Sequence, residues 1–164
     1  MSIMNERKTA LINYYLPTYR EIPSVGLYLD QTSKYINDVL GVLPGCTITN
    51  SMISNYVKHH ILSNPVKKQY SRDQIAGLIF ITLTKKVLPL EDIGYLLNLQ
   101  KEKYDTQTAY EFFSKVFESY LHTLFSEKRI NGEDDDNKDK RLVRRVIITA
   151  VNQMYLEEAF ASKE

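Results

Sequence analysis

The stretch Ile48-Thr49-Asn50-Ser51-Met52-Ile53-Ser54-Asn55-Tyr56-Val57-Lys58-His59-His60, followed by Pro65-Val66-Lys67-Lys68-Gln69-Tyr70-Ser71-Arg72-Asp73-Gln74-Ile75, decides how this chain is read. Thr49 is placed as an N-cap, its hydroxyl accepting a free amide hydrogen of the first turn. The helix it opens is predicted to run to about His60. Ile53, Tyr56, Val57 and His60 fall at i, i+3, i+4 and i+7 and form a mostly apolar stripe. Ser51, Ser54, Asn55 and Lys58 repeat that spacing about half a turn away, and all are small, polar or basic. Pro65 stops any helix, and Val66 to Tyr70 reads as a short strand or ribbon, a small wing. Ser71 with Gln74 three residues on is a capping-box arrangement. It opens a second helix whose buried stripe is Ile75, Leu78, Ile79, Thr82 and Leu83.

Outward from this stretch the pattern stays helical. Tyr28 to Leu40 reads as a helix stopped by Gly41, and Leu43-Pro44-Gly45-Cys46 as a turn. Beyond Pro89, Leu90 to Leu97 forms a short helix with Glu91 and Asp92 in its first turn, where the dipole favours acids. Thr106 to Ser126 carries an aromatic stripe that includes Tyr110, Phe113, Phe117 and Tyr120, and Arg141 to Phe160 a stripe of Val143, Val146, Ile147, Ala150, Val151 and Met154, with Leu156 placed inward as well. Residues 131–139 read as an acidic loop. Thr9 to Tyr15 reads as a short helix ended by Pro17. The expected class is therefore all-α, mainly helical, with a small β-wing and C-terminal helices. The expected division is an N-terminal extension over 1–23, a helix-turn-helix domain over 24–100, and a C-terminal helical region over 101–164 for dimerisation or ligand binding.

Composition narrows the classes. The chain has 164 residues, 43% of them apolar and 25% charged, enough to bury a core without staples. Cys46 is alone, which excludes an intramolecular disulfide and a cysteine-based metal cage. No window approaches the ~18 to 20 apolar residues of a membrane span, and no signal-peptide core follows the first charges, so a cytoplasmic protein is expected. His59 and His60 point about 100° apart in a helix and cannot chelate as an i, i+4 pair would. No phosphate loop, nucleophile elbow or metal-ligand cluster stands out, so no enzyme, catalytic residue, metal or cofactor is expected.

The net charge of +1 hides a local asymmetry. Between Ile48 and Lys86 the bases are Lys58, Lys67, Lys68, Arg72, Lys85 and Lys86, and the one acid is Asp73. A helix that enters a DNA groove about 12 Å wide needs an outer face that is neither bulky nor acidic. Ser51, Ser54, Asn55 and Lys58 fit that need, with Thr49 and Asn50 at the start of the same helix. Lys67, Lys68 and Arg72 suit phosphate contacts, which add affinity without sequence information. Double-stranded DNA is the expected partner, bound by a homodimer because operators usually present two half-sites. A plain solvated face accounts for the same charges.

Four segments carry a resemblance. Ile48 to Tyr56, the Ile61-Leu62 pair with Pro65, Tyr70-Ser71-Arg72-Asp73-Gln74-Ile75, and Leu90-Glu91-Asp92-Ile93 with Leu96-Leu97 resemble the MerR-type winged helix-turn-helix. More closely, Met52 to Lys58, Val66 to Ser71 and Val87 to Ile93 resemble an uncharacterised bacterial family, known mainly from Firmicutes, with a MerR-like helix-turn-helix and no assigned function. The resemblance implies a DNA-binding transcriptional regulator. The chain departs from MerR-type proteins in lacking recognition-helix arginines, the long dimerising helix and sensor cysteines. That departure keeps a second reading open, a helix-turn-helix scaffold for protein contacts without DNA binding. The aromatic C-terminal half could serve as core, as dimer surface or as a pocket for a small-molecule effector.

Overall fold

The computed structural model describes residues 3–126 and 137–161. Among the described residues there are seven helices: α1 (Ile3–Ile12), α2 (Leu29–Leu40), α3 (Asn50–Lys58), α4 (Arg72–Thr84), α5 (Leu90–Lys103), α6 (Thr106–Phe125) and α7 (Lys138–Ala161). The acidic run from Glu133 to Asp136 lies outside the described residues. None of these helices is long and apolar enough to cross a membrane.

Helix α4 is the hub. Its sequence, Arg-Asp-Gln-Ile-Ala-Gly-Leu-Ile-Phe-Ile-Thr-Leu-Thr, is apolar on every side after the first turn, the pattern of a helix surrounded by others. It packs against α2, α5, α6 and α7. Thr82 and Thr84 are buried and return their hydroxyl hydrogens to the carbonyls of Leu78 (2.7 Å) and Phe80 (2.8 Å), so neither leaves an unpaired polar group in the core. The stripe expected from five residues therefore widens to nine buried ones, Ile75, Ala76 and Leu78 to Thr84.

The aromatic stripe of α6 faces this hub. Tyr110, Phe113 and Phe117 are buried, and Phe113 meets Phe80 edge-on at 5.3 Å between ring centroids. Helix α7 packs along α6 and buries Val143, Val146, Ile147, Ala150, Val151 and Met154. Leu156, placed inward by spacing, is 49% exposed. The apolar stripes of α6 and α7 are thus used within the chain.

The first helix begins and ends earlier than Thr9 to Tyr15, and α1 packs on α6. The segment after it is sewn down by hydrogen bonds to distant helices. Tyr14 donates its hydroxyl hydrogen to Val39 O (2.5 Å), Leu16 donates its amide to Glu118 Oε2 (2.9 Å), and Tyr110 donates to Pro17 O (2.6 Å). Burial raises the Glu118 carboxyl above its usual range, and the Leu16 amide opposes that shift.

The β-wing is not formed, and no strand occurs among the described residues. Only two isolated antiparallel pairs remain, Val66 with Gln69 and Leu27 with Tyr70. Geometry explains the truncation. Lys67 and Lys68 make a two-residue turn, closed by Val66 N to Gln69 O (3.1 Å) and Gln69 N to Val66 O (2.9 Å). The ladder does not grow beyond it, because the next hydrogen-bonded pair would join Asn64 and Ser71, and Gln74 already accepts the Ser71 amide and donates to the Asn64 carbonyl. Tyr70 pairs instead with Leu27.

Candidate nucleic-acid interface

Local chemistry builds α3 as its spacing implies. Thr49 Oγ1 accepts the Met52 amide at 3.2 Å, Ile53 and Tyr56 are buried, and Ser51, Ser54, Asn55 and Lys58 are exposed. The helix ends in a Schellman motif. Ile61 donates its amide to Tyr56 O (2.9 Å) and His60 donates to Val57 O (3.1 Å). That motif requires a left-handed residue, and here it is His60 at φ 58°, not a glycine. His60 therefore leaves the apolar stripe and is exposed, as is His59.

The turn that follows is anchored from beneath. Gln74 completes the capping box of α4, its Oε1 accepting the Ser71 amide at 2.8 Å. Its other side-chain atom, Nε2, donates to the carbonyls of Ser63 (2.9 Å) and Asn64 (3.2 Å), fixing the strand of chain that leads into the turn. At the tip, Lys67 (φ 51°) and Lys68 (φ 63°) both occupy the left-handed region. Two consecutive positive φ values define a type I′ turn, for which Asn-Gly is the usual pair. Lysines at both positions hold the backbone where L-residues are disfavoured. Both side chains are exposed.

Nine residues were expected at this face, and their surroundings divide them. Ser51, Ser54, Asn55, Lys58, Lys67 and Lys68 are exposed, and the three lysines have no ion-pair partner among the described residues. Thr49 is exposed, but its hydroxyl is occupied by the cap. Asn50 is turned toward α2, where its Oδ1 accepts from Ser33 Oγ at 2.6 Å and its Nδ2 donates to Asp30. Arg72 is engaged elsewhere: Nε donates to Ile22 O (2.8 Å), a terminal nitrogen donates to Arg20 O (3.1 Å), and the guanidinium lies 5.3 Å from the Tyr19 ring centroid. Beside it, Tyr19 donates to Asp73 at 2.5 Å, and that bond with burial pushes the Tyr19 hydroxyl up to about 12.

The remaining bases of the stretch clamp the loop that precedes α3. Lys85 donates to Thr47 O, and burial lowers its pKa below the ordinary lysine value. Lys86 pairs with Glu157 of α7. Between them Cys46 is 4% exposed, and burial pushes its thiol up to about 12. Gly45 has φ 66°, and a Cβ there would run into the Lys86 ammonium and the Glu157 carboxylate. No charge pattern could have separated these clamping bases from the open ones, because their partners lie up to 71 residues away.

Spacing passed over other exposed groups near the turn. Val66 (74%) directly precedes it, and Val25 (70%) and Tyr28 (53%) flank the Leu27 residue that pairs with Tyr70. The composition of short loops gave no signal for them.

No curated protein and no solved structure matches the chain. A family model described as domain of unknown function (DUF1836) matches residues 17–120, a segment that holds α2 to α5, the lysine turn and most of α6. Because that segment is well over half of the 164 residues, the chain belongs to the DUF1836 family.

Proposed function

We propose that this protein is a cytoplasmic DNA-binding transcriptional regulator of MerR-like helix-turn-helix type. The outer face of α3 enters the major groove, and the Lys67-Lys68 turn, a wing reduced to its tip, holds the neighbouring phosphates. The observation that carries the reading is the lysine turn itself. Two left-handed positions are filled by long cations that make no ion pair among the described residues, although Asn-Gly would close the same turn with less strain. Strain retained at an exposed, charged tip is accounted for by what the tip touches. On this reading Ser51, Ser54, Asn55 and Lys58 face the bases and phosphates of the groove, while Thr49, Asn50 and Arg72 hold the unit in shape. Two half-sites call for a homodimer.

The test is titration of the full chain with a labelled duplex between about 50 and 200 mM salt. Replacing Lys67 and Lys68 with Ala weakens binding to every sequence and flattens the plot of log K against log salt by about two per protomer. Wild-type protein without duplex affinity at the lowest salt overturns the proposal.

One observation favours a second reading. Val66, Val25 and Met52 expose apolar surface around the same turn and helix, which suits a protein partner better than a phosphate backbone. Under that reading the unit is a protein-interaction module, and a pull-down returns one stoichiometric partner with no retained DNA.

A further inference from the structure

A cavity of about 120 Å³ lies where α5, α6 and α7 meet. Its walls are mostly apolar or uncharged, with Leu99 and Tyr104 from α5 and its C-cap, Ala109 and Phe112 from α6, and Val143 from α7. The charges sit at its edge. Lys103 is already neutralised by Asp139. Lys140 also lines the cavity, and it has no acidic partner among the described residues. Its ammonium lies 5.9 Å from the centroid of the Phe112 ring, beside the apolar wall.

Size and charge together define an occupant. An apolar cavity of roughly 150 Å³ holds a benzene-sized molecule, so this space takes a single small ring or a short branched chain. A cation without an acidic partner among the described residues, set beside an apolar wall, favours a guest that carries one negative charge on an apolar body. We infer that this cavity is a binding site for a small apolar monocarboxylate, whose hydrocarbon part rests among Ala109, Phe112 and Val143 and whose carboxylate pairs with Lys140. The inference does not depend on DNA binding, and its test contains no DNA.

Benzoate serves as the anionic probe, benzyl alcohol as its neutral counterpart of similar shape, and acetate at equal concentration as the control for salt and pH. Melting of the full chain is followed as each is added, since a molecule that prefers the folded state raises the melting temperature. The expected result is a saturable rise with benzoate, a smaller one with benzyl alcohol and none with acetate. Lys140→Gln, a change at a half-buried rim position, brings benzoate down to the level of benzyl alcohol, a loss of about fivefold in affinity. Ala109→Leu fills the space and abolishes both responses. Absence of a saturable benzoate response in the wild type overturns the inference, and so does a benzoate response that Lys140→Gln leaves unchanged. The wild-type and Lys140→Gln comparisons decide the matter even if Ala109→Leu does not fold.

Discussion

Replacing Lys67 with Asn and Lys68 with Gly separates the two properties of the turn, its strain and its charge. Each lysine holds a left-handed backbone, which costs an L-residue about 1–2 kcal/mol. Asn tolerates that region better than Lys, and Gly occupies it freely, so most of the cost is recovered. Gly returns about 0.5–1 kcal/mol of this through the greater freedom of the unfolded chain. The net gain is about 1 kcal/mol, worth roughly 2–4 °C in melting temperature for a chain of this size. On the proposed DNA-binding reading, the same variant also loses two phosphate contacts per protomer. Duplex affinity therefore falls while stability rises, an inverse pairing that ordinary damage to the fold does not produce. Lys67→Ala with Lys68→Ala is the control, because it removes the charge and keeps the strained backbone. It matches the loss of affinity without the gain in stability. Urea unfolding and salt-dependent duplex titration read the two effects separately. A variant no more stable than the wild type refutes the strain reasoning, and one that keeps the full salt slope refutes the phosphate role.

Three further outcomes follow from the geometry. His60→Gly relieves the left-handed residue of the Schellman motif and raises stability by about 0.5–1 kcal/mol in denaturant unfolding; a loss would show that the imidazole makes a compensating contact. Gly45→Ala forces a Cβ into the Lys86 ammonium at a positive φ and lowers stability by about 2 kcal/mol, and a neutral result would mean that Lys86 moves away without cost. Cys46, Tyr14 and Tyr110 are all held above their ordinary values by burial, Cys46 from 9.0 to about 12, so the folded form keeps protons that the unfolded form releases. Their contribution is complete below about pH 9 and drains as pH rises, so the melting temperature falls progressively from there, whereas a flat profile to pH 11 would contradict the burial of these groups.

What could be read from the sequence was what short-range chemistry determines. The Thr49 cap and the Ser71–Gln74 capping box each join residues three apart, and both form as read. The apolar periods of α6 and α7 likewise place Phe117 and Ile147 in the core. What could not be read is what distant partners decide. Spacing along the chain carries no sign that Asn50 meets Asp30 and Ser33 of α2, or that Arg72 donates to the carbonyls of Arg20 and Ile22. The wing failed for a third reason. Val66 to Tyr70 is compatible with a ribbon, but with Ser71 already the N-cap of α4 only one hydrogen-bonded pair forms. His60 was misplaced because an ideal period carries a helix past its end, and only the backbone bonds of Ile61 and His60 mark where α3 stops.

The all-round burial of α4 bears on how this molecule can come apart. A helix that touches α2, α5, α6 and α7 has no side from which it can be released alone. Opening any one neighbour uncovers part of the face formed by Leu78, Ile79, Phe80 and Ile81, so the elements that carry the lysine turn and those that line the α5–α7 cavity share one cooperative unit. The amides of α4 are then the slowest to exchange with solvent, with a protection that reports global unfolding. A fragment ending at residue 100 would lack α6 and α7 and expose that face to water, where it would favour aggregation over an independent fold.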